Sequence, residues 1–149
     1  MGYVDTNLVT NEKVVKIGKV HWGIYVPGAI WAGLGILLFM TGDARPIGVF
    51  VFLIGALLLV RAFLYAYSTE LAITDKRVIA KFGLVRRQTV ELLHSKVEGL
   101  TVHQGILGRS LNFGTVVVNG TGSGRTPIRG ISEPLEFRKI ALAEIENKA

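Results

Sequence analysis

Two long apolar runs leave few folds open to this chain. No formally charged residue lies between Lys19 and Asp43, and residues 22–40 read WGIYVPGAIWAGLGILLFM. Those 19 residues, wound as an α-helix, span about 28 Å, close to the ~30 Å hydrocarbon core of a bilayer. A second run, residues 46–67, reads PIGVFVFLIGALLLVRAFLYAY. Only Thr41-Gly42-Asp43-Ala44-Arg45 separates the two. So short a polar turn predicts a tight helical hairpin, with Pro46 in the first turn of its second helix. A cleaved leader is disfavoured, because the first run is long and no A-x-A site follows it. Burial inside a soluble fold is disfavoured too, since the 82 residues after the hairpin are too few to cover two helices that are apolar all round.

The remainder has a different character. Half of all residues are hydrophobic and the mean hydropathy is +0.44, but the apolar excess is confined to the region before Ser68. From Ser68 onward 12 Lys/Arg stand against 8 Asp/Glu, a mild excess suited to an anionic leaflet. No basic stripe interleaves with aromatic residues, so nucleic acid is not an expected partner. The chain has no cysteine, which rules out disulfides and thiolate chemistry. His21, His94 and His103 form no metal-ligand spacing. No cofactor and no catalytic constellation is expected, so the chain is read as non-enzymatic.

Lysine and arginine placement orients the hairpin. Lys13, Lys16 and Lys19 precede it, only Arg45 lies in its turn, and Lys76, Arg77, Lys81, Arg86 and Arg87 follow it. Both termini are therefore expected in the cytosol, with Trp22, Tyr25, Tyr65 and Tyr67 in the inner aromatic belt. Arg61 is the one cation within the second run. It is expected to snorkel to lipid phosphate, the alternative being a partner inside an oligomer or a polar pathway. Gly28 with Ala32, Ala29 with Gly33, and Gly48 with Gly55 place small residues on helix faces, for packing within the hairpin or between subunits.

Short strand-like runs then recur between turn residues: 69–74, 77–82, 84–92, 97–104, 113–119 and 127–131. Residues 105–112 read as a loop and 120–125 as a turn. Ser132 suits a helix cap, and Leu135, Phe137, Ile140, Ala141 and Ile145 recur at roughly helical spacing. Residues 13–20 (KVVKIGKV) partly alternate and could supply a further strand to the same domain. The expected domains are thus a cytosolic N-terminal segment (1–21), the hairpin (22–67) and a β domain with a C-terminal helix (68–149).

Three motifs carry a family resemblance: Thr74-Asp75-Lys76-Arg77, then Gly83-Leu84-Val85-Arg86-Arg87, then the segment Gln104 to Thr115 with its central Leu-Gly-Arg. Residues 68–140 resemble the bacterial pleckstrin-homology (PH) domains of the membrane-associated type, in which two transmembrane helices commonly precede the domain. The resemblance implies an α+β membrane protein: a two-helix hairpin followed by a PH-like antiparallel β-sandwich or barrel with a C-terminal helix. It implies binding or assembly, with no shared enzymatic activity. The bacterial cytoplasmic membrane is the expected location. An anionic lipid surface, further copies of the chain or another membrane protein are the expected partners, and a subunit of a small channel or transporter is the alternative role.

The remaining candidates have plainer readings. The Gly120–Thr126 stretch has the wrong spacing for a phosphate loop, and Pro127 rather than a helix follows it. Arg109 and Arg125 are candidates for fixing their loops or for holding an anion. If the first strand rises from the bilayer, the second returns, and the turn at Gly83 should bring Lys81, Phe82, Leu84, Arg86 and Arg87 to the headgroups.

Overall fold

The computed structural model describes Val4 and residues 7–83, 88–122 and 124–148. The chain forms two compact units: Met1–His21 together with Ser68–Ala149, and Trp22–Tyr67.

The first unit is a pair of antiparallel sheets. One contains β1 (Val14–Gly18), β2 (Glu70–Thr74), β3 (Arg77–Phe82) and β4 (Gln88–Leu93), in that order. The other contains β5 (Val97–His103), β6 (Phe113–Gly120) and β7 (Gly124–Ser132). The sheets meet where the chain beyond β1 crosses over: Val20 bridges to Ile131, the Ser132 N–H donates to the Lys19 carbonyl (2.9 Å) and the His21 N–H to the Gly130 carbonyl (2.6 Å). At the opposite corner, buried His94 joins β4 to β5, with its Nε2 2.9 Å from the Thr74 carbonyl.

Alternation selects the core. Leu71 and Ile73 of β2, Val78 and Ala80 of β3, Leu100 of β5, and Val116 and Val118 of β6 line the space between the sheets. Ala72 and Ile79, on the opposite face of the first sheet, are also buried, against Val4, Leu8 and Val14. Both faces of β2 and β3 are covered, which is why these strands read as nearly continuous apolar runs. The C-terminal helix covers one open side with Pro134, Phe137 and Ala141.

The second unit is a helical hairpin. A 3₁₀ turn (Trp22–Tyr25) leads into α1 (Val26–Met40), and α2 runs from Arg45 to Ser68. Pro27 lies in the first turn of α1; it lacks an N–H and restricts the residue before it, so the opening turn is wound as 3₁₀. The 3₁₀ turn with α1 (Trp22–Met40) and α2 (Arg45–Ser68) are each long and apolar enough to cross a membrane. They touch through close backbone approach. A Cβ on Gly48 would stand 2.5 Å from the Phe39 nitrogen, one on Gly28 would meet Leu59, and Gly35 and Gly55 lie directly against the backbones of Phe52 and Ala32. These contacts step in equal and opposite increments along the two helices, as an antiparallel register requires. Thr41 Oγ1 donates to the Leu38 carbonyl (2.7 Å) at the turn, and Arg45 lies over the Phe39 ring.

The strand that residues 13–20 could supply to the β domain is present, as β1. Several other boundaries differ from the sequence reading. Residues 106–110, expected in a loop, form a helical turn, α3 (Ile106–Ser110). The strand expected over 127–131 is β7, which starts at Gly124. Ser132, expected as a helix cap, ends β7; Glu133, at φ 49°, turns the corner into α4 (Pro134–Lys148). Buried Pro134 takes the inward place expected of Leu135, which is exposed.

Candidate functional site

Among the described residues, the Thr74–Arg77 turn between β2 and β3 organises the best-defined polar cluster. An N-terminal strap lies over the outer face of the first sheet, and the turn holds it there. The Arg77 guanidinium grips Glu12 with two parallel bonds, Nε to Oε1 and Nη2 to Oε2, each 2.9 Å. Its Nη1 donates to Glu91 (2.6 Å) and its Nη2 also to the Asn7 carbonyl (2.9 Å). Glu12, its side chain fully buried, further accepts from Thr74 Oγ1 (2.7 Å) and the Val9 N–H (2.7 Å). Burial by itself would raise the Glu12 pKa. The bonds from Arg77, Val9 and Thr74, with the Arg77 charge, outweigh it and lower the value from 4.5 to about 2. Lys76 donates to the Thr10 carbonyl (2.9 Å), and Asp75 accepts from the Lys13 N–H (2.9 Å).

Each position of the Thr-Asp-Lys-Arg motif therefore engages the segment ahead of β1. Of its cations, Arg77 is engaged by Glu12 and Glu91, while Lys76 is exposed and bonds the Thr10 carbonyl. The sequence reading did not single out Glu12. The one signal was an acid just ahead of a strand-like run, and its partner Arg77 is 65 residues away.

The residues expected at a lipid surface divide. Lys81 lies 3.5 Å from Glu70 with its side chain mostly buried, and Phe82 packs against the core. Leu84, Arg86 and Arg87 lie outside the described residues.

Arg109 was expected to fix its loop or hold an anion. It is exposed, and its side chain makes no hydrogen bond or ion pair among the described residues. The loop is instead fixed by Gln104, whose Nε2 donates to the Phe113 (3.1 Å) and Gly108 (3.3 Å) carbonyls. Gly108 passes so close to Phe113 that a Cβ would come within 2.5 Å of its carbonyl oxygen. Arg125, also exposed, borders a depression of about 400 Å³ with Glu98, Asn119, Gly120 and Gly124. Gly120 and Gly124 pair across the β6–β7 turn, so this glycine-rich stretch closes a β-hairpin.

Within the hairpin the small residues separate by face. Gly28, Ala32, Gly48 and Gly55 lie at the helix–helix contact, together with Gly35, which the sequence reading left out. The signal for Gly35 was its seven-residue spacing from Gly28, matching Gly48 and Gly55. Ala29 and Gly33 are exposed on the outside, with open space around Gly33. Arg61 is exposed and borders a cleft of about 250 Å³ lined by Ile24, Pro27, Gly28, Leu58, Ala62 and Tyr65.

Among known proteins, no curated sequence and no solved structure matches. The family model of the bacterial PH domain matches residues 19–145. That span takes in the hairpin, strands β2 to β7 and most of the C-terminal helix, and leaves out β1; the chain belongs to the bacterial PH domain family.

Proposed function

We propose that this protein is a non-enzymatic, membrane-anchored PH module that serves protein interaction or homo-oligomeric assembly at the bacterial cytoplasmic membrane, with both termini in the cytosol. The observation that carries the reading is where the hairpin departs. It is inserted between β1 and β2, which pair directly, Gly18 opposite Leu71. The chain thus enters the hairpin from β1 and leaves it into β2, so both ends of the anchor connect to paired strands of one sheet. Large apolar side chains also cover the outside of the hairpin, Met40 at 80% and Leu57 at 70% exposure among them. Such a surface suits hydrocarbon and not water. Ala29 and Gly33, turned away from the partner helix, offer a face on which a second hairpin could approach closely.

Topology and assembly are tested together. The natural chain has no cysteine, so single cysteines report cleanly. Asp43→Cys should react with an impermeant thiol reagent in intact cells, and Thr121→Cys only after lysis. The reverse pattern refutes the orientation. Mass photometry in nanodiscs should give a multiple of the 16.2 kDa chain; a monomer at all concentrations refutes the assembly reading.

A further inference from the structure

The β5–β6 loop carries an apolar knuckle that the domain holds outward. Ile106 is 91% and Leu107 72% exposed, with Leu111 partly exposed beside them. This is not the looseness of a mobile loop, since Gln104 ties both the Gly108 and the Phe113 carbonyls and Gly108 is wedged under Phe113. A rigid turn that presents two large aliphatic side chains to solvent marks a contact surface.

Two observations identify what it contacts. The first is position. Phe113, the residue that ends the loop, stacks its ring on His21 at 5.0 Å, and His21 is the last residue of this unit before the hairpin. The second is charge. Exposed Arg109 lies within the knuckle. The start of α4 adjoins it through the Glu133 N–H, which donates to the Asn112 carbonyl (2.9 Å). There α4 presents exposed Leu135, with exposed Arg138 and Lys139 three and four residues on, along the same helix face. Glu136 is neutralised by Lys16 at 3.0 Å, which leaves exposed Glu133 as the opposing charge. Aliphatic tips rimmed by cations match the interface of an anionic leaflet.

We infer that Ile106 and Leu107 insert into the headgroup–acyl boundary of the membrane that holds the hairpin, with Arg109 on lipid phosphate, so that the PH unit is seated by a second contact besides its covalent anchor. This rests on the membrane reading above.

The test uses the full chain in nanodiscs of phosphatidylcholine and phosphatidylglycerol containing doxyl-labelled lipid. An environment-sensitive dye is placed singly by Leu107→Cys, Leu57→Cys or Thr121→Cys. The expected result is strong lipid quenching at positions 57 and 107 and none at 121. Adding Arg109→Gln should lower the immersed-to-exposed ratio at position 107 about fivefold, the effect of one cation near an anionic surface. An unchanged ratio refutes the phosphate contact. Quenching at 57 without quenching at 107 overturns the inference and leaves the anchor standing. Quenching at neither position overturns both. A label at 107 that is shielded from water but untouched by the quencher means a protein surface covers the knuckle, which also overturns the inference.

Discussion

Removing the Arg77 guanidinium isolates the energetics of the strap. In Arg77→Leu, Glu12 keeps the Val9 N–H and the Thr74 hydroxyl but loses both charge-assisted bonds and the Arg77 charge. Each such bond is worth about 1.5–3 kcal/mol, and breaking a buried pair by deleting one partner costs about 3–5 kcal/mol. Arg77 retains 15% side-chain exposure, so the lower end applies, about 3 kcal/mol. The loss has a ceiling: once it exceeds the docking free energy of the strap, Glu12 escapes to water by undocking. Hydrogen exchange in nanodiscs should therefore show the Glu12 amide, which is bonded to the Val9 carbonyl, exchanging about a hundredfold faster. Core amides such as Val116 should change far less. Glu12→Leu combined with Arg77→Leu should recover most of the loss, because an apolar pair replaces an ionic one at little cost. An Arg77→Leu effect below about 1 kcal/mol, with no recovery in the double variant, would refute a buried ion pair as the clasp.

The same clasp sets an acid limit: the folded-state pKa of Glu12 is depressed to about 2 from 4.5, so its contribution is complete above 4.5 and is lost as pH falls toward 2. Strap protection measured by exchange should fall across that window, and Arg77→Leu should lack the step. Gly35→Leu and Gly55→Leu should each unpack the hairpin, since a side chain there meets the backbone of Phe52 or Ala32; the thermal midpoint in detergent should drop by several degrees, as for overpacking of about 1–3 kcal/mol. Gly33→Leu enters open space and should leave that midpoint unchanged while weakening self-association, if the outward face is the subunit contact. Gln104→Leu removes two bonds that fix the β5–β6 loop and leaves the Phe113 carbonyl without its side-chain donor; it should cost about 1–3 kcal/mol and speed exchange in residues 105–112.

The sequence by itself determined the two apolar helices, their tight connection, most of the strands and the C-terminal helix. Each of these is written in local periodicity: an uncharged stretch of bilayer length, alternation at period two, and apolar spacing near 3.6. The family was legible for a related reason, because two of its motifs, at residues 74–77 and 104–115, sit at turns whose geometry demands particular residues. The alternation in residues 13–20 allowed a strand but could not say where it pairs. Only the folded chain brought β1 beside β2 across the hairpin, with Gly18 opposite Leu71, and so turned an apparent N-terminal anchor into an insertion within the domain.

The same limit hid the clasp: Glu12 and Arg77 meet only because β1 pairs with β2, and no local rule links residues 65 apart. In the hairpin, the sequence showed that small residues were present. Which of them met the other helix depended on the rotation of each helix about its axis, which packing sets. That rotation put Gly28, Ala32 and Gly35 inside and Ala29 and Gly33 outside. The loop at Ile106 and Leu107 follows the same logic. Composition alone would bury two aliphatic residues, and it took the bonds from Gln104 and the close passage of Gly108 to hold them out.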